Sequence, residues 1–208
     1  MKNNSIKSIF AIVFSVVLII SLNIAIAEAA TGKQGYTIYR DGVLAGFEWH
    51  AGIVVEPGYS YSNSIVHIAG SGSNVAYTNF SGFEYAYNYT GIYKPSSITN
   101  ANRDKVVATA RALTGKSITY TALGQMDVKS GVQSNGKSRV EPGDIKSMRC
   151  DGVVEYSYER NDVRIYGSNA YWNISVNDNN CLTHHMLTNI TPLKQAAFLT
   201  LDTTSRTW

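Results

Sequence analysis

Between residues 35 and 93 the chain is cut into short apolar runs, each closed by a turn signal, and this pattern demands a strand-rich first half. "YTIYRDG" alternates and ends in Asp-Gly, "WHAGIVVEPG" closes on Pro-Gly, and "SNSIVHIAGSG" closes on glycines. "FEYAYNYTGIY" sets Phe83, Tyr85, Tyr87 and Tyr89 at a spacing of two. That spacing predicts a strand whose aromatic side either packs on the core or offers a platform to a sugar or peptide.

The period then changes. In "KPSSITNANRDKVVATARALTGK", Asn100 or Asn102 can cap, Val106, Val107, Ala110 and Leu113 recur at helical spacing, and Gly115 closes the segment. A helix over 101–114 is expected. A polar, Gly-rich stretch, "GQMDVKSGVQSNGKSRVEPGD", leads to a second helix that begins at Cys150 and stops at Asn161. Its length is unusual for a mere connection. Val153, Val154, Ser157 and Tyr158 form one face of this helix, with Glu155 and Glu159 on another. "VRIYG" and "AYWNISV" read as strands, and the tail "ITPLKQAAFLTLD" suits either a short helix or a strand. The class is α+β, with an antiparallel sheet or small barrel packed against the helix that carries the cysteine.

The first 29 residues read as an exported leader. Lys2 and Lys7 precede the apolar run "IFAIVFSVVLII", and Ala27-Glu28-Ala29 is a small-x-small cleavage site. An uncleaved anchor is the alternative, although Ser21 and Asn23 interrupt the roughly 20 apolar residues that a span needs. Cleavage after Ala29 leaves residues 30–208, a length suited to one domain with its own core. That portion has 16 basic and 14 acidic side chains, a net charge of +2, and all 14 tyrosines. So even a balance argues against a nucleic-acid or membrane-surface partner. The expected location is secreted or cell-envelope.

Only two cysteines exist, Cys150 and Cys181. In an exported chain they invite a disulfide. A thiol at a helix start suits another use, because the helix N-terminus favours the thiolate and its first-turn amides can hold an oxyanion. Gly152 allows a neighbouring chain to approach there. A nearby imidazole would take the thiol proton and return it to the leaving group. His184 and His185 lie side by side in a polar segment and so face different ways. His50 and His67 sit in successive apolar strands, either as buried structural residues or as a base and its orienting partner.

"RCDGVVEYSYERND" resembles the nucleophile segment of the NlpC-type cysteine peptidases, and "VVATARALTGKSITY" is similar to the helix that precedes it. "WHAGIVVEPG…SIVHIAG" resembles that family's two-strand histidine block. Here the block comes about a hundred residues before the cysteine instead of after it. That order resembles the circularly permuted branch, the YiiX/YaeF-like papain-type amidases and the lecithin:retinol acyltransferase relatives. "GIYKPSSITNANRDKVVATA" is similar to the connection such proteins place between the two blocks. The resemblance spans roughly 36–160. It implies a permuted papain-like domain with Cys150 as nucleophile, His50 as general base, His67 as its orienting partner and Tyr120 near the oxyanion. It further implies a cysteine peptidase or amidase that acts through an acyl-thioester, on a peptide or acyl-amide such as cell-wall peptidoglycan, with no cofactor and no metal; permuted relatives that act on acyl groups leave an acyl-lipid amidase or acyltransferase as the alternative. The family pattern departs at Arg149, where an aspartate is usual, and at Asp151, where a serine is usual. Arg149 favours a thiolate and Asp151 opposes one.

Two other classes stay open. A non-enzymatic binding module would use the Tyr-rich segment and pair Cys150 with Cys181. Zinc held by both cysteines and histidines is the third, though the spacings fit no compact ligand pattern.

Overall fold

In the computed structural model, residues 30–43, 48–132, 139–166 and 190–208 are described. The apolar runs form strands where the sequence places them: β1 Thr37–Val43, β2 Glu48–Val54, β3 Ile65–Ile68 and β4 Val75–Thr78. β1 continues through Asp41 and Gly42 to Val43, so that dipeptide does not end the strand. With β5 Tyr89–Lys94 and the C-terminal β9 Thr200–Thr203, they build one six-stranded sheet in the order β4-β3-β2-β1-β5-β9. Every neighbouring pair is antiparallel.

A smaller sheet, β6-β8-β7, comprises β6 Thr119–Tyr120, β7 Met126–Val128 and β8 Ile145–Met148. The long polar stretch before the cysteine therefore carries one strand, β7, and a 3-10 turn, Pro142–Asp144, and leads directly into β8. Asn74 bridges Thr119 and Val75 N–H donates to the Ile118 carbonyl, which joins the free edge of the large sheet to the small one.

The aromatic alternation at Phe83 to Tyr89 does not form one strand. Asn79 accepts from Gly82 N–H at 2.7 Å and caps a short helix, α1, Phe80–Glu84, which ends at Tyr85 with φ +49°. The strand begins only at Tyr89. Phe80 and Phe83 are buried, whereas Tyr85 faces solvent, so no shared aromatic face exists.

α2 spans Asn100–Leu113. Its cap is Thr99, in a capping box with Asn102, one residue earlier than the sequence suggests. α3 spans Cys150–Glu159 and α4 spans Pro192–Ala196. The tail thus supplies both a helix and a strand. Val163 and Ile165 are buried but do not form the expected strand, and the "AYWNISV" segment lies outside the described residues.

Strand alternation divides the core. Tyr39, Ala51, Ile53, Val66 and Ile68 turn to one face and meet Val106, Ala110 and Leu113 of α2 and Val153 and Val154 of α3. Each such aliphatic side chain, fully buried, contributes about 1.5–3 kcal/mol. Ile38, Val54, Ile65 and Ile92 turn to the other face and meet Phe80 and Phe83. α3 is covered on all sides, chiefly by β2 and α2. The chain is thus α+β, an antiparallel sheet packed against helices. Among the described residues no helix is long and apolar enough to cross a membrane.

Candidate functional site

β8 delivers the chain to α3, and the thiol of Cys150 lands at the helix start, beside β2. It is a free thiol, buried to 5 % exposure. The N-cap, Arg149, makes no side-chain capping bond, so the first-turn amides are left to other partners. The N–H of Asp151 turns to the thiol, as does the N–H of Ala51 on β2. Gly152 is required here for close approach: a Cβ at this position would lie 1.9 Å from the Gln125 carbonyl oxygen. That carbonyl accepts from Arg149 N–H at 3.0 Å, which pins the β7 approach against the turn into α3.

Cys150 and His50 line one cavity of about 420 Å³, together with Trp49, Tyr120 and Arg149. The loop after β3 (Ala69, Gly70, Ser71) and the start of α4 (Thr191, Pro192) complete its walls. Tyr120 therefore reaches the same cavity as the thiol. Burial, with the Cys150 sulfur as a secondary cause, raises its phenol pKa.

His50 and His67 are bonded to each other, Nε2 to Nδ1, at 2.8 Å. One ring donates and the other accepts. Paired residues between β2 and β3 are confined to Ile53↔Val66 and Val54↔Ile65, so toward the cavity the strands are linked by the two imidazoles. Both rings pack on Phe83, at 5.3 Å and 5.5 Å between centroids. Phe83 comes this close because Gly52 carries no side chain; a Cβ there would lie 3.2 Å from the Phe83 ring. With Nε2 engaged, Nδ1 is the ring nitrogen of His50 left for another partner. Among the described residues no hydrogen bond joins Cys150 to His50 in the resting site.

Sequence reasoning missed Arg40, which sits opposite His50 in the β1–β2 register. It is 7 % exposed, and its guanidinium lies 4.2 Å from the centroid of the Tyr87 ring. The signal available was a single basic residue inside an alternating apolar strand. Burial holds His50 well below the usual histidine range, with His67 and then Arg40 adding to the effect. Burial and then Arg40 hold His67 down at about 4. Both imidazoles are neutral at pH 7, so His50 is a free base able to accept. The thiol is protonated, because burial and then Asp151 push it up to about 12 against the opposing Ala51 amide and Arg149.

The two departures beside the cysteine prove to be partners. Arg149 Nε donates to Asp151 Oδ1 at 2.6 Å and its Nη2 to Oδ2 at 2.8 Å, a bidentate pair with Asp151 fully buried. Arg149 also donates to the Ile190 carbonyl. Gln125 Nε2 donates to Asp151 Oδ2 at 3.1 Å, and Gln195 Nε2 to Glu155 Oε2 at 2.8 Å. Glu155 and Glu159, assigned by pattern to a polar face, are fully buried. Burial pushes Glu155 well above the carboxylate range, and Glu159 up to about 8.

Among the described residues no group of three His, Cys, Asp or Glu side chains is arranged to hold a metal ion. Cys181, His184 and His185, invoked for the disulfide and for zinc, lie outside the described residues, as does the expected leader over 1–29. No family model matches the chain, and neither a curated protein nor a solved structure is similar to it.

Proposed function

We propose that the chain is an exported cysteine hydrolase of amide bonds, a permuted NlpC-type, papain-like domain whose substrate is a cell-wall peptide. One observation carries this reading: the thiol at the start of α3 shares a cavity with His50, whose far nitrogen is held by His67 at 2.8 Å. A base fixed through one ring nitrogen presents the other to the nucleophile, which is the working arrangement of a cysteine peptidase.

The resting pair is a neutral thiol and a neutral imidazole, so attack and deprotonation are coupled. As Cys150 sulfur bonds to the carbonyl carbon, its proton passes to His50 Nδ1. The developing oxyanion is met by α3 first-turn N–H groups and by Tyr120 from the cavity wall. Collapse breaks the C–N bond, and His50 returns the proton to the leaving amine. Water then attacks the thioester, His50 takes its proton, and the thiol regains a proton as the acid leaves. Substrate displaces water from the cavity and brings the reacting groups into register, the step at which apo hydrogen bonds tighten.

A non-enzymatic module of the same fold is the second reading, favoured by a thiol held near 12 with no resting bond to His50. One experiment separates the two. Purified peptidoglycan is incubated with the protein, and new peptide amines are followed by mass spectrometry, with Cys150→Ser and His50→Ala variants checked for native circular dichroism. Release by the wild type alone supports the hydrolase. No release by the wild type, or equal release by Cys150→Ser, overturns it.

A further inference from the structure

A second cavity, centred on a carboxylate of α2, shares no lining residue with the one at the thiol. Ala30 is buried, and its backbone nitrogen donates to Asp104 Oδ1 at 2.5 Å. The residues that follow are fastened just as closely. Arg103 Nε donates to the Gln34 carbonyl at 2.7 Å, and its Nη2 reaches the carbonyls of Gly32 at 2.7 Å and Thr31 at 3.3 Å. Gln34 Oε1 accepts from Thr31 N–H at 2.9 Å, while its amide donates to the Val55 carbonyl at 3.1 Å. Two consecutive residues of α2 thus divide the work: Arg103 binds the carbonyls of the segment and Asp104 binds its first amide.

Among the described residues no basic side chain pairs with Asp104. The other carboxylate in this region, Glu56, is occupied by Arg111 at 2.8 Å. Ala30, Asp104, Glu56 and Arg111 line a cavity of about 630 Å³, room enough for a charged group and its water.

We propose that this is the receptor for the mature amino terminus: cleavage after Ala29 converts Ala30 into an α-ammonium, which Asp104 holds as an ion pair. The proposal rests on the leader expected over residues 1–29 and is independent of the chemistry at Cys150. The step balances simply. A leader peptidase with small-x-small specificity adds water across the Ala29–Ala30 peptide bond, leaving a carboxylate on Ala29 and an ammonium on Ala30. Before cleavage Ala30 offers Asp104 one neutral N–H; afterwards it offers three and a full positive charge. Charge-assisted hydrogen bonds are about twice as strong as neutral ones. Removal of the leader therefore tightens the amino-terminal segment onto α2, and the folded domain is completed by its own processing.

The test uses the exported protein and three variants: Asp104→Asn, a glycine inserted between the leader and Ala30 so that Ala30 nitrogen becomes an amide, and the two combined. Terminal sequencing of the exported wild type should begin at Ala30; a start elsewhere overturns the proposal at its first step. The α-amine should react with a methylating reagent about tenfold more slowly at pH 6.5 than that of an Ala-Thr-Gly peptide, the effect of one pKa unit. Asp104→Asn should restore the peptide rate. Each single change should lower the denaturation midpoint, and the combined variant should fall no further than the worse single one. Additive losses, or an amine as reactive as the peptide's, overturn the ion pair even with the terminus at Ala30.

Discussion

Replacing Glu159 by Gln should change the shape of the protein's pH–stability curve. Among the described residues, four groups set that curve between pH 4.5 and 8. Burial holds His50 and His67 below the free-histidine value of about 6.5, and burial raises Glu155 and Glu159 above the carboxylate value of 4.5. A side-chain hydrogen bond between the two carboxyls, then Arg164 and the Ile165 backbone, tempers the rise at Glu159, while the charge of Glu159 and that same bond add to the rise at Glu155. A lowered imidazole pKa contributes stability above 6.5 that is lost on acidification. A raised carboxyl pKa contributes stability near 4.5 that is lost as pH rises toward the folded value. From about 4.5 to 6.5 the unfolded chain gains imidazole protons and lacks carboxyl protons, so the two effects oppose each other and the slope is shallow. Above 6.5 only the carboxyls differ, and stability falls. Each proton is worth about 1.4 kcal/mol per pH unit. Over the 1.5 units to pH 8, Glu159 alone accounts for about 2 kcal/mol. Glu159→Gln should remove that share of the alkaline loss. It should also leave the histidines less balanced, giving a steeper decline below 6.5 than in the wild type. Urea denaturation followed by tryptophan fluorescence at pH 5, 6.5, 7.2 and 8 measures both arms. A wild type whose stability is level or rising from 6.5 to 8, or a variant with the wild-type slope, would refute the reasoning.

Gly152→Ala should cost about 1–3 kcal/mol or more in the same denaturation assay, because its Cβ would lie 1.9 Å from the Gln125 carbonyl oxygen. Arg149→Met strands the buried Asp151 carboxylate and should cost about 3–5 kcal/mol, whereas Arg149→Met with Asp151→Leu should recover most of it. Thermal or chemical midpoints of the four proteins in that cycle check the coupling. Arg40→Met withdraws the buried cation beside the histidines, so the His67 pKa should rise from about 4, as read by ring-proton NMR titration.

The elements defined by local signals were legible: α2 from its period and cap, α3 from its start at Cys150, β2 and β3 from their apolar runs. Pairing His50 with His67 also followed from their places on successive strands. Where the outcome depended on distant partners, the pattern misled. Glu155 and Glu159 match a solvated face by spacing, yet Gln195 arrives from 40 residues away to donate to Glu155 Oε2 at 2.8 Å, and the helix is enclosed. Phe83 to Tyr89 alternate like a strand, but the local bond from Gly82 to Asn79 turns the chain into α1. Arg40 belongs to the site only through the β1–β2 register, which no single segment reveals. Arg149 and Asp151 read as opposed influences on the thiol until their bidentate contact shows that each is largely spent on the other.

The join between β2 and β3 has a mechanical consequence. Near Val54 the strands are stitched by backbone, and nearer the cavity by one proton shared between two rings. A single proton fastens that seam, and a second undoes it, since two imidazolium ions can only point donors at each other. Acid strong enough to charge both rings should part the sheet beside the thiol first. The amides at that end of β2 should then exchange with solvent before those elsewhere in the sheet.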